Sequence, residues 1–315
     1  MKKLVILCSV LSLAACLFWG SCTDRDEEDA VGNAAGTKLE VTAGVSSQQA
    51  ALKSGPVAVF PEGSKLRLFI TKGSLGDDYE SAASRTVAST LAGGRWEQSP
   101  AVNLYGHNAT VFAFYPYTAI ASDGTDMPIQ SGLTDYMYGT HTQGHIPVNR
   151  DNPQVRLMMN HAMALVQFNL YRRDYPWKGD LTCIRITNAP GKAAVYYGAK
   201  LNVATGEVKD HSGQDMAIQL NSTSLGIIPE KASTDEGTFQ KLLVIPTGAT
   251  KADGEILVTF TIDGRDYVWE APAGTQWKQG TKNTYQVLLK GNELQIAGVA
   301  ITDWTDGPAG NVVLQ

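Results

Sequence analysis

Cysteine is the residue type best placed to do chemistry in this 315-residue chain, and three of its four cysteines, Cys8, Cys16 and Cys22, crowd into the first 22 positions. A basic head of Met1, Lys2 and Lys3 precedes an apolar run from Leu4 to Ala15, which is the size of a secretory h-region and too short to span a bilayer comfortably. A peptidase that cuts before cysteine needs small side chains just upstream, and the freed sulfur can then be thioether-linked to a diacylglyceride. Gly20-Ser21-Cys22 meets that need and leads at once into Thr23-Asp24-Arg25-Asp26-Glu27-Glu28-Asp29, a polar run suited to standing beside a lipid. Cys22 is therefore the expected attachment point. Leu13-Ala14-Ala15-Cys16 has better residues before the cut but would leave Leu17, Phe18 and Trp19 at the new terminus, so Cys16 is the alternative. A signal peptide cut elsewhere is a third reading. Residues 1–22 are expected to be signal peptide and lipobox, and residues 23–37 a flexible tether, acidic at first and then small and uncharged.

The remaining candidates for chemistry come apart on inspection. Cys183 stands alone in the body, so neither an intrachain disulfide nor a cysteine-based metal site can be built there, and its neighbours Leu181, Ile184 and Ile186 predict a buried small hydrophobe. His141 and His145 have the four-residue spacing of two ligands on a helix, but Gly144 and Pro147 make the segment a loop, and no metal is expected. His161 opens an apolar strand and is expected to be a core or edge histidine with its ring hydrogen-bonded. Asp123 and Asp126 could bracket a glycosidic bond or bind calcium, yet in Ser122-Asp123-Gly124-Thr125-Asp126 they read as a turn. There is no GxSxG, phosphate-cradling glycine loop or HExxH. The chain is expected to be no enzyme and to need no cofactor, and its net charge of −5 offers no basic patch for nucleic acid.

The elements that hold these residues are strands almost throughout. Val111 to Tyr115, Leu165 to Tyr171, Glu255 to Ile262 and Tyr285 to Leu289 are dense in β-branched and aromatic residues. Ile256, Val258, Phe260 and Ile262 share one face while Thr259 and Thr261 take the other; Leu66, Leu68 and Ile70 repeat the pattern. Turn signals such as PEGS, SDGTD, NAPG and KGN separate the runs, and Asp263-Gly264 suits a tight hairpin. The reading is an all-β protein of two sandwiches. The polar, proline-bearing stretch His145 to Pro153 divides them, giving an N-terminal sandwich over residues 38–150 and a C-terminal one over 151–315 that opens with Val155 to Asn160.

The leader, LYGHNATVFAFYPY (Leu104 to Tyr117), DYMYGT (Asp135 to Thr140), HAMALVQFNL (His161 to Leu170) and TYQVLLKGNELQIAGVAITDW (Thr284 to Trp304) together resemble the fimbrillins, the type V pilins and fimbrium-associated anchor lipoproteins of anaerobic Gram-negative bacteria. Each motif is mainly strand pattern plus aromatics; their order and spacing carry the resemblance, which covers nearly the whole chain. It implies two transthyretin-like antiparallel β-sandwich domains in tandem, export as a lipoprotein to the outer membrane, and assembly with other fimbrial subunits by strand exchange. The acidic run after Cys22 resembles a surface-export signal. In polymerising relatives a protease removes the first strand at an arginine, and a C-terminal segment of the neighbouring subunit fills the groove. Here the first strand is expected over Leu39 to Val45, no arginine follows it, and Lys53 is the nearest basic residue, which tilts the reading toward an anchor or accessory subunit that keeps its strand. The tail Asn311 to Gln315 would be a donor or a final edge strand. The alternative function is binding of host or bacterial surface glycans or proteins, with Trp96, Tyr105, Tyr115, Tyr117, Tyr136, Tyr138 and Trp177 as a stacking platform.

Overall fold

Strands and turns make up nearly all of the computed structural model, which describes residues 36–46, 59–141 and 147–304. The first half contains β1 (Thr37–Lys38), β2 (Glu40–Val45), β3 (Lys65–Thr71), β4 (Val87–Ala92), β5 (Arg95–Ser99), β6 (Asn103–Leu104), β7 (Thr110–Tyr115), β8 (Met127–Gln130), β9 (Met137–His141) and β10 (Gln154–His161). The second contains β11 (Ala164–Arg173), β12 (Asp180–Asn188), β13 (Gly198–Leu201), β14 (Val208–Ser212), β15 (Ile218–Ile227), β16 (Gln240–Val244), β17 (Ile256–Ile262), β18 (Arg265–Glu270), β19 (Thr281–Lys290) and β20 (Glu293–Asp303). The helical residues among those described are two single 3-10 turns, Ala82–Arg85 and Glu236–Thr238. The all-β expectation holds.

Seven strands of the first half close into a barrel in the order β10-β2-β5-β4-β3-β7-β9. Its core takes Leu39, Val41, Leu66, Leu68, Ile70, Val111, Leu157 and Met159. The predicted inward set of β3 is therefore right, but its other face is covered as well: Arg67 is fully buried and Phe69 joins a separate core. In the second half the sheets β16-β11-β19-β20 and β15-β12-β17-β18 face each other across Phe168, Phe260, Trp277 and Tyr285. Trp277 Nε1 donates to the Tyr285 hydroxyl at 2.8 Å, and burial pushes that phenol up to about 12. Two registers depart from the antiparallel expectation: β2 runs parallel to β10, and β11 runs parallel to β19. Both join segments more than a hundred residues apart in sequence, where no hairpin constrains direction.

The halves are not independent packing units. The described residues fall into one compact unit, and β8 of the first half pairs with β13 of the second in a three-stranded sheet with β14. A third core, holding Phe69, Phe114, Met127, Met163, Leu201, Ile245 and Trp304, lies between them. The strand expected to open the C-terminal half pairs with β2 and β9, so Val155 to Asn160 complete the first barrel and the chain crosses over at Ala162-Met163. The described part of the polar, proline-bearing stretch, Pro147 to Pro153, leads into β10.

Asp263 and Gly264 turn β17 into β18 with φ of +48° and +74°, the pair of positive values that a mirror-image turn requires. Cys183 departs from its predicted burial and is half-buried. The register of β12 shifts between Leu181 and Cys183, so the extra residue hands the inward position to Ile184 and turns Cys183 to the outer face.

Candidate functional site

The features that bear on function are a strand and a junction. The strand is β2. It closes the barrel, pairing with β10 from Glu40 opposite Gln154 to Val45 opposite Met159, and touching β5 through Val41 opposite Trp96. The Glu40 N–H donates to the Pro153 carbonyl and the Ser46 N–H to the Met159 carbonyl, both at 2.9 Å, and the Thr42 hydroxyl donates to the Val155 carbonyl at 3.3 Å. Alternation does the rest: Val41 and Val45 point into the core together with Leu39, while Glu40, Thr42 and Gly44 are exposed. Without β2, β10 would present an unpaired edge above an apolar cleft, which an extended segment of another chain could satisfy.

The junction brings together three segments remote in sequence. Asp135, the first residue of DYMYGT, accepts from Nδ1 of His161, the first residue of HAMALVQFNL, at 3.0 and 3.1 Å to its two oxygens. The other face of the pairing is Trp304, which closes the ITDW run and stacks on the His161 ring. All three are buried, and the Trp304 N–H donates to the Gly280 carbonyl at 2.7 Å. His161 is thus a core histidine with its ring hydrogen-bonded, as its place in the sequence predicts; the convergence of the three motif ends has no signal in the sequence. A cavity of about 360 Å³ opens beside it, lined by Ser46, Tyr138, Asn160, His161, Asp303 and Trp304.

The other residues singled out in the sequence are scattered. Cys22, Cys16, Lys53, His145 and the Asn311 to Gln315 tail lie outside the described residues. Asp123 accepts from the backbone N–H and hydroxyl of Thr125 at 3.0 and 2.6 Å, and the Ser122 hydroxyl donates to Asp126 at 2.8 Å, so the stretch is a self-satisfied turn. The Thr125 hydroxyl, with its backbone N–H, holds the Asp123 carboxyl below its usual range. Among the described residues no group of three or more His, Cys, Asp or Glu side chains is placed to hold a metal ion. The seven aromatics do not share a face. Trp96 packs edge-on against Phe60 inside the barrel, Tyr136 lies against Phe114, and the indole of Trp177, in the other half, carries the Arg265 guanidinium 3.9 Å from its ring centre. Of the seven, Tyr105 and Trp177 are exposed, at 36 % and 39 %, and the others are partly or fully buried.

Two solved structures share the fold. A candidate cell adhesion protein of Bacteroides ovatus superposes with a TM-score of 0.59 at 13 % identity, covering 87 % of this chain and 99 % of its own. One from Bacteroides uniformis gives 0.55 at 16 % identity, covering 85 % and 98 %. No curated protein matches the chain by sequence. The family model described as fimbrillin-like matches residues 38–304, the span from the first strands to the Trp304 that stacks on His161, and the chain belongs to the fimbrillin-like family.

Proposed function

We propose that this chain is a non-enzymatic fimbrial subunit of the cell surface, of the anchor or accessory kind, which keeps its own first strand and is tethered to the outer membrane by lipid on Cys22, with Cys16 as the alternative. The observation that carries the reading is β2 itself. It fills the barrel with Val41 and Val45, next to Leu39, and pairs along its whole length with β10, the arrangement of a subunit already complemented by its own chain. Membership of the fimbrillin-like family and the surface roles named for the two structural neighbours point the same way. Other fimbrial subunits are the expected partners, meeting this one by strand complementation. Surface glycans or proteins would be bound elsewhere, since the aromatic side chains named above present no common platform. We treat the segments before and after Ala162-Met163 as the two β-domains of the subunit.

A lipid anchor of this kind is strong. Each buried methylene contributes about 0.8 kcal/mol, so one acyl chain holds marginally while two or three hold firmly. Cys22→Ala is expected to move the protein out of the outer-membrane fraction, and mass spectrometry of the mature N-terminus is expected to find lipid on Cys22. Continued retention of Cys22→Ala, with Cys16→Ala releasing it, transfers the anchor to Cys16; release of β2 from surface material by cutting after Lys53 defeats the retained-strand reading.

A further inference from the structure

Force on a surface protein tethered at its N-terminus enters through the first strands of the chain. Here the first strand of any length is β2, and its Glu40 end lies beside Pro153, at the start of β10, while its Ser46 end lies beside Met159, near the finish of β10. From that finish, at His161, the chain passes through Ala162-Met163 into β11 and the second half. A pull on the N-terminal end against a hold on the second half therefore loads β2 and β10 at opposite ends. Strands loaded in this way must slide past each other, so the rungs from Glu40 to Val45 share the load. Strands loaded at the same end unzip rung by rung, each rung being worth little alone.

The same rule repeats further along. β11 pairs in parallel with β19 over nine residues, Leu165 to Arg173 against Lys282 to Lys290. Load arriving at the Lys290 end of β19 leaves β11 at its Leu165 end, again opposite ends. These are the two parallel pairs among the described strands, and both lie on the route from the N-terminus through the crossing to the far pole of the second half. Around the crossing, Asp135, His161 and Trp304 hold the end of β10 inside the shared core. An antiparallel partner joined by a hairpin, such as β18 on β17, would instead be peeled by a pull on its free end.

We propose that β2 is a tension-bearing strand: its parallel pairing with β10 is a shear clamp that keeps the subunit folded while load passes from the N-terminal tether to whatever the second half holds. The proposal rests on the N-terminal tether of the function proposed above, and it adds a reason for the strand to be kept. A chain that had lost β2 would have no clamp between tether and barrel.

Single-molecule force spectroscopy on the full chain tests it. Handles are clicked to azide-bearing residues placed at exposed positions, one protein carrying them in place of Lys38 and Glu293, the other in place of Ser46 and Glu293. The first pulls β2 from its N-terminal end, in shear; the second pulls from its C-terminal end, peeling it from β10. The force that releases β2, identified by the length of chain set free, is expected to be several-fold higher in the first. Equal forces, or a lower force in the first, overturn the clamp. Fractionation of Cys22→Ala reports on the tether separately, so a sound clamp without a lipid tether and a failed clamp on a sound tether are distinguishable results.

Discussion

The imidazole of His161 lies flat against the indole of Trp304, with ring centroids 3.9 Å apart and planes 5° from parallel. This contact joins the last residue of β10 to the residue that follows β20, and Asp135 fixes the imidazole from the side through Nδ1. Burial is nearly complete, 5 % exposed for His161 and 4 % for Trp304, so removing the indole leaves a cavity in the core shared by the two halves. Trp304→Ala is expected to cost about 3 kcal/mol, and Trp304→Phe, which keeps a stacking ring, less than half of that. Urea unfolding of the two variants measures both; equal losses would mean that a phenyl ring in this place recovers nothing.

Arg67 is a buried cation with no carboxylate among its hydrogen-bond partners in the described residues. Its guanidinium donates to four backbone carbonyls, those of Arg85 at 2.8 Å, Thr118 at 3.1 Å, Ile120 at 2.6 Å and Ser122 at 2.7 Å, and lies 4.7 Å from the Phe69 ring centre. Burial lowers its pKa from the ordinary arginine value. The planar fork satisfies carbonyls on two sides of the site at once, pinning the loop that follows β7 and holds the Asp123 turn. Arg67→Met fits the space but strands four acceptors, and is expected to cost about 3 kcal/mol. Arg67→Lys restores charge without the fork and should recover less than half of the loss. A full rescue by lysine would show that charge, not geometry, is what the site needs.

Gly139 has its place in DYMYGT for a steric reason. A Cβ there would run into the Met158 carbonyl and the Met159 sulfur on the paired strand β10. β9 comes too close to the β10 backbone here to leave room for a side chain, and β10 is the strand that receives β2. Gly139→Ala is expected to destabilise by about 2–3 kcal/mol, and thermal unfolding with hydrogen exchange would place the damage at β9, β10 and β2 first. Protection lost evenly over both halves would argue against a local clash.

Much of this architecture was legible in the residues, and the parts that were not have physical causes. Alternation placed Ile256, Val258, Phe260 and Ile262 inward, and the Asp263-Gly264 turn needed only local chemistry. Much of what stayed hidden depended on partners remote in sequence: the parallel direction of β2 on β10, the allocation of Val155 to Asn160 to the first barrel, and the meeting of Asp135, His161 and Trp304. Cys183 misled for a local reason, because one inserted residue in β12 reverses every later side chain. Arg67 carried no signal either, since an arginine between Leu66 and Leu68 reads as the wet face of a strand.

Asp263 offers a test in which the sign of a pH effect is fixed beforehand. Burial on its own would raise this carboxyl. The N–H groups of Asp180 and Gly179, donating at 3.0 and 2.7 Å, and the Tyr175 hydroxyl at 2.9 Å outweigh it, so the folded-state value lies below the ordinary one. A carboxyl depressed in the folded state adds stability above its unfolded pKa of about 4, and that contribution disappears as the pH falls through the folded value. Asp263→Asn keeps the size of the side chain and tolerates the positive φ of the turn, while it removes the ionised acceptor. The variant is therefore expected to be less stable than the parent at pH 7, with the two stability curves converging as acid is added below the ordinary carboxylate range. Parallel curves across that range, measured by urea unfolding at each pH, would show that Asp263 does not hold its three donors as a charged acceptor.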